Sequence, residues 1–174
     1  MIALKRWLVW LSRIHLCQGF GIQSPTDFDF ERTVVNEHSP YYAYNELTAD
    51  DWLQRHLGQL YLRLANRYQP ATILTEAYQP WFLAGCRSAR ILSDIGNEPL
   101  QLARIEIEQQ ERLEQLYAHC NQQSVIIIEG IWRDWPAWHA IEYDARTGIT
   151  FDLYYCGIVF FDNRRYKQNY RINY

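Results

Sequence analysis

The chain opens on apolar residues spaced for a helix. Leu4, Trp7, Leu8, Leu11 and Ile14 fall at i, i+3, i+4, i+7 and i+10, one stripe, while Lys5, Arg6, Ser12 and Arg13 lie off it. This pattern predicts a helix over residues 2–17. A stripe with tryptophans and basic neighbours fits a helix lying in a membrane interface. It equally fits a helix packed on the domain or on a second subunit, and that is the reading adopted. The stretch Gly19-Phe20-Gly21-Ile22-Gln23-Ser24-Pro25 breaks the pattern, and Ser24 or Thr26 can cap a second helix over residues 27–35. After the ring-rich loop Ser39-Pro40-Tyr41-Tyr42-Ala43-Tyr44, Thr48 or Asp50 starts a long helix. Its stripe is Leu53, Leu57, Leu60, Leu64 and Tyr68, and Gln69-Pro70 ends it.

From residue 71 the pattern changes to apolar runs alternating with polar helices, the signature of an α/β sheet. Strands are predicted over residues 73–77 and 89–95, the second ending at Asp94, with a short helix over 81–86 between them. Gly96-Asn97-Glu98-Pro99 reads as a helix start, proline in the first turn, for one long helix from Leu100 to about Cys120. Its polar middle, Glu108-Gln109-Gln110-Glu111-Arg112, marks a bend or a junction. Ser124-Val125-Ile126-Ile127-Ile128-Glu129 is a buried parallel strand. A helix over 133–145 follows, with Asp134 as cap and Pro136 in its first turn. Strands over 149–155, 157–161 and 170–173 close the chain, Gly157 turning the first two into an antiparallel pair. The whole reads as a single domain over 1–174, with a helical part over 1–70 and a sheet part over 71–174.

Composition bounds the function. The chain has 174 residues, 48% apolar, which fits a globular core. A net charge of −3 argues against a globally electrostatic nucleic-acid binder. Aromatic residues reach 16%, which favours core and interface area and raises the expectation of self-association. Cys17, Cys86, Cys120 and Cys156 form no C-x-x-C pair, so reduced thiols in a cytoplasmic protein are expected. The apolar run 7–11 is too short for a signal-peptide core, and no segment approaches a membrane span.

The most informative segment is Tyr78-Gln79-Pro80-Trp81, at the first strand-to-helix turn. In an open α/β sheet a cofactor approaches the backbone here, and glycines normally allow it. Proline and two large rings fill the space instead and remove a donor N–H. Two further stretches carry a resemblance. One is residues 19–25 with Phe28, Phe30 and Tyr41-Tyr42-Ala43-Tyr44. The other is Ser124 to Trp132, then Phe151-Asp152-Leu153 and Gly157 to Phe161. Together they resemble a family of bacterial class I S-adenosylmethionine-dependent methyltransferases, common in Bacteroidetes-type bacteria. The resemblance implies a Rossmann-like, mostly parallel sheet with a final antiparallel hairpin strand. It implies cofactor contacts from Glu76, Asp94, Glu129 and Trp132, if binding is retained. Asp94 takes the place of the ribose acid, and Glu129 and Trp132 match a later acidic-Trp motif. The departures are the missing glycine loop, Glu76 one position off its acid, and Gly130 in place of a second Asp. The chain is also shorter than such enzymes. The shortening falls between Asp94 and Ser124, removing the family's third and fourth strands and implying a truncated order 2-1-5-7-6.

Glu76, Asp94 and Glu129 at strand ends could form an acidic site or be remnants at a loop edge; the second is adopted. His15, His38, His56, His119 and His139 are scattered, with no triad or zinc spacing. Ser24 lacks elbow glycines and reads as a cap. Cys86, beside Arg87, reads as a structural thiol. Arg164, Arg165, Lys167 and Arg171, interleaved with tyrosines, fit either a single-strand nucleic-acid contact or a charged edge strand. The expected protein is therefore a methyltransferase-like module without catalytic residues, metal or bound cofactor. It would act through a homo-oligomer or an intact paralogue rather than a membrane or nucleic acid. An active S-adenosylmethionine-dependent enzyme with a remodelled pocket is the alternative, and a nucleic-acid module a weaker one.

Overall fold

A computed structural model describes residues 2–49, 51–96 and 98–174. The first helix, α1 (Ile2–Ser12), is shorter than its apolar periodicity predicts, and the chain continues as a 3-10 turn over Ile14–Gly19. α2 (Pro25–Phe30) starts at Ser24, whose hydroxyl accepts from the Asp27 N–H, and runs into a π-helical turn, Glu31–Val35. A short α3 (Ala43–Glu46) precedes α4 (Trp52–Tyr68). The cap of α4 is Asp51, accepting from Gln54 N–H at 2.7 Å, rather than Thr48. The other expected cap, Asp50, lies outside the described residues. α4 ends at Gln69-Pro70 as its sequence suggests, with Gln69 in the left-handed conformation.

The sheet part holds β1 (Thr72–Leu74), α5 (Gln79–Gly85), β2 (Arg90–Leu92), β3 (Leu100–Glu106), α6 (Gln110–Tyr117), β4 (Cys120–Glu129), α7 (Trp135–Tyr143), β5 (Ile149–Asp152), β6 (Cys156–Phe160) and β7 (Gln168–Arg171). These form one seven-stranded mixed sheet in the order β2-β1-β3-β4-β6-β5-β7. β6 alone runs against the others.

Three expectations are corrected. The segment 100–120 is not one helix: its first half is β3 and its second is α6. Leu, Gln, Ala, Arg and Glu are good helix formers, and Pro99 suits a helix start. Tertiary pairing overrides that preference, because β3 completes ladders on both sides, Leu102 against Ile73 and Ile105 against Ile128. Asn97, part of that expected helix start, lies outside the described residues. The order 2-1-5-7-6 fails for the same reason, since β3 separates β1 from β4 and β7 adds an edge beside β5. Gly157 does not make the hairpin turn; it lies within β6 under the Trp138 ring. The turn is made by residues 153–155, with Tyr154 left-handed at φ 71° and its N–H bonded to Asp152 Oδ1 at 2.8 Å.

Both faces of the sheet are covered. Leu57, Leu60, Tyr61 and Leu64 of α4, with Phe82 of α5 and Phe30, pack on Ile73, Leu102, Ile127 and Ile158. On the other face Leu113 and Leu116 of α6 and Trp138 and Ile141 of α7 pack on Ala103, Ile105, Ile126 and Ile128. Among the described residues no helix is long and apolar enough to cross a membrane.

α1 attaches to this body the wrong way round for its sequence. Its apolar stripe does not pack on the domain: Leu4, Trp7, Leu8, Leu11 and Ile14 are 50–66% exposed. The opposite face makes the attachment. Arg13, which follows α1, is buried and grips the Asp152 carboxylate with two bonds of 2.9 Å. Asn173 donates to the Trp10 carbonyl at 3.2 Å.

Candidate functional site

The carboxyl ends of β1, β3 and β4 are where an open α/β sheet receives a ligand. The turn after β1 is set by Thr75, whose hydroxyl donates to the Ala77 carbonyl at 2.6 Å. Tyr78 then takes a left-handed conformation, φ 59°, and α5 begins with Pro80 in its first turn. A glycine would hold that φ without steric cost; the tyrosine holds it while projecting a ring into the crevice. That ring meets Tyr61 edge-on at 4.8 Å, and the Arg104 guanidinium lies 5.6 Å from its centre.

Arg104 and Glu129 fill what remains. Arg104 Nε and Nη2 donate to Glu129 Oε2 at 2.9 and 2.6 Å, with Arg104's side chain 5% exposed. The hydroxyls of Tyr61 and Tyr78 donate to the same carboxylate at 2.9 and 3.3 Å. Burial opposes the charge on Arg104, but Glu129, with Tyr61 and Glu106, reverses this and raises its pKa above the usual arginine value. Burial and then the Glu129 charge push the Tyr61 and Tyr78 hydroxyls up, so both remain neutral donors. Beneath them burial, then Glu129, likewise raises the Cys156 thiol. The ion chain continues outward from Arg104 to Glu106 at 3.2 Å, from Glu106 to Arg133 at 3.1 Å, and from Arg133 to Glu108 at 2.9 Å.

The structure does not bring the three expected acids together. Glu76 is exposed and pairs with Arg112 of α6, which also bonds the Ser93 carbonyl. Asp94 stands beyond β2, exposed, its only recorded bond a 3.4 Å contact from the neighbouring Ser93 hydroxyl among the described residues. Glu129 alone is in the crevice. Trp132 lies near it but packs parallel to Tyr154 at 6.3 Å and edge-on to Tyr155 at 5.5 Å. Gly130 is required where the resemblance leads one to expect an acid. Its φ is +80°, and a Cβ there would overlap the Arg133 side chain. Among the described residues no group of three His, Cys, Asp or Glu side chains is arranged to hold a metal.

The basic C-terminal cluster is committed internally. Arg164 pairs with Asp162, Arg165 with Asp27, and Arg171 with Asp152, while Lys167 donates to the Asp144 and Thr147 carbonyls. Cys86 is buried with its sulfur 3.5 Å from the Pro70 carbonyl, a structural thiol. Sequence reading missed Arg104 because it placed the residue on a helix. The signal was there in the alternation of Leu102, Arg104 and Glu106 with Ala103, Ile105 and Ile107. It also missed an open cleft of about 690 Å³ between α1 and α4, which none of Glu76, Asp94, Glu129 or Trp132 lines. No protein-family model, no curated protein and no solved structure matches the chain.

Proposed function

We propose that this protein is a methyltransferase-like module that has given up S-adenosylmethionine and works by binding and self-association. One observation carries the reading: the crevice at the ends of β1, β3 and β4 is occupied by the Arg104–Glu129 pair under Tyr61 and Tyr78. Opening it would strand a buried charge, so a cofactor would have to offset that loss before gaining any contact. The mostly parallel sheet with one antiparallel strand, β6, supports the family likeness. Support for self-association comes from α1, whose apolar stripe faces outward. The first 26 residues carry Lys5 and Arg6, besides Arg13 that Asp152 already neutralises, and no acid, while the whole chain is at −3. A second copy therefore offers the basic helix an acidic body as well as an apolar face.

Two measurements test this. Calorimetric titration of S-adenosylmethionine and S-adenosylhomocysteine into the full chain gives no saturable heat up to millimolar ligand. A ligand at 100 times its dissociation constant adds about 2.7 kcal/mol of stability, so a melting scan is a sensitive second readout. Saturable binding overturns the closed crevice and favours an active enzyme. Light scattering at micromolar concentrations gives a dimer or larger, which Leu8→Gln with Leu11→Gln converts to monomer. A strict monomer in the parent chain refutes the self-association.

A further inference from the structure

We propose that the cleft between α1 and α4 is a binding site for a small planar aromatic anion. Its charge pattern is unlike the rest of the molecule. Of the fifteen arginines, ten pair with a carboxylate among the described residues. Three of the five that do not are Arg6, Arg32 and Arg63, and all three line this cleft, against the single acid Glu37 among the described residues.

Arg63 is the strongest of these. It is 5% exposed, yet its hydrogen-bond partners among the described residues are all uncharged: the Val34 and Val35 carbonyls at 2.6 and 3.1 Å, and the Tyr44 and Tyr174 hydroxyls at 3.0 and 3.3 Å. One Nη1 hydrogen is left over. A buried cation held only by neutral oxygens is costly unless something negative completes it. Arginine's planar fork suits a carboxylate or a phosphate.

The walls supply the aromatic half. On α4, Trp52, His56, Gln59 and Arg63 follow the spacing i, i+4, i+7, i+11 and share one face. The Trp52 and His56 rings stack at 4.5 Å, and His56 stacks on Tyr174 at 4.0 Å. Arg6 lies 4.5 Å over Trp52, and Trp7 and Trp10 of α1 form the opposite wall. His56 Nε2 is buried with no hydrogen-bond partner among the described residues. Burial, then Arg63, Arg6 and His38, lower the His56 pKa to about 3, so the ring stays uncharged. A volume of about 690 Å³ lies within the range of small-molecule sites.

The test uses the full chain, with 2-naphthoate as the carboxylate probe, adenosine 5′-monophosphate as the phosphate probe and 2-naphthylmethylamine as the cation control. Calorimetry and tryptophan quenching are read together. The expected result is saturable binding of one or both anions at one per chain, with none of the amine. The tighter anion identifies which headgroup the arginines prefer. Arg6→Ala with Arg32→Ala, both at the accessible rim, weakens binding about tenfold or more. Trp7→Ala weakens it as well, and Arg87→Ala, at an exposed arginine outside the cleft, leaves it unchanged. Equal binding of the amine, unchanged affinity in the arginine variant, or no saturable binding in the millimolar range overturns the proposal. The cleft lies between α1 and α4, away from the crevice that the S-adenosylmethionine titration probes, and Arg6→Ala with Arg32→Ala tells the two apart, because it weakens binding at the cleft alone.

Discussion

Glu129→Gln isolates the crevice pair with the least change of shape. The wild-type carboxylate receives two bonds from Arg104 and one each from Tyr61 and Tyr78. The amide keeps one acceptor oxygen but loses the charge that compensates a guanidinium 5% exposed. Removing one partner of a buried pair costs about 3–5 kcal/mol. Glu106 remains at 3.2 Å from Arg104, but its side chain is 42% exposed and therefore screened, so the low end applies, about 3 kcal/mol. For a chain of this length that lowers the melting temperature by about 6–12 °C. Urea unfolding at pH 7, followed by tryptophan fluorescence, measures it directly. The companion variant, Arg104→Met with Glu129→Gln, removes the stranded charge and recovers most of the loss. A single-variant cost below about 1 kcal/mol, or a double variant as unstable as the sum of the two single changes, refutes a desolvated pair that plugs the crevice.

Two other outcomes are expected. Gly157→Ala places a methyl into the buried Trp138 ring and costs about 1–3 kcal/mol with a changed near-ultraviolet spectrum; an unaltered spectrum at unchanged stability would show that the methyl fits without displacing the ring. His56 has a folded pKa of about 3 against an ordinary value near 6.5, so only the unfolded chain takes up a proton between those limits. Its contribution is complete above pH 6.5 and is lost as the pH falls towards 3, about 2 kcal/mol of it between pH 7 and pH 5. In urea titrations His56→Phe falls less steeply than the parent over that interval; parallel curves would place His56 in water.

Of the seven strands, all but β3 were legible in the sequence. The strands around residues 73, 91, 126, 151 and 158 announce themselves by β-branched and aromatic runs, and Ser24 and Asp134 by their place before proline-led helices. β3 did not, because its residues have helix preference and its strand character comes from neighbours on both sides. With β3 misread, Arg104 could not be set opposite Glu129, so the crevice was foreseen as closed by Tyr78 and Trp81 but not by an ion pair. Trp81 is in fact buried away from the turn, packed against Gly58 of α4. The α1 stripe was read correctly as a pattern, but the domain does not cover it. Periodicity marks which residues share a side, not what covers them, and Arg13 found its partner 139 residues away.

That separation sets a clock on the ribosome. Arg13 needs Asp152 for its ion pair and the Ile172 carbonyl for a further bond, and α1 needs Asn173 for its tether. At about 5–20 residues per second, roughly 7–28 s pass between the making of Arg13 and of Asp152. Throughout that interval the N-terminal helix has neither its polar mooring nor anything across its leucines and tryptophan. It is a natural client for whatever greets nascent chains, and two neighbouring chains on one message could meet by this segment before either has a finished sheet.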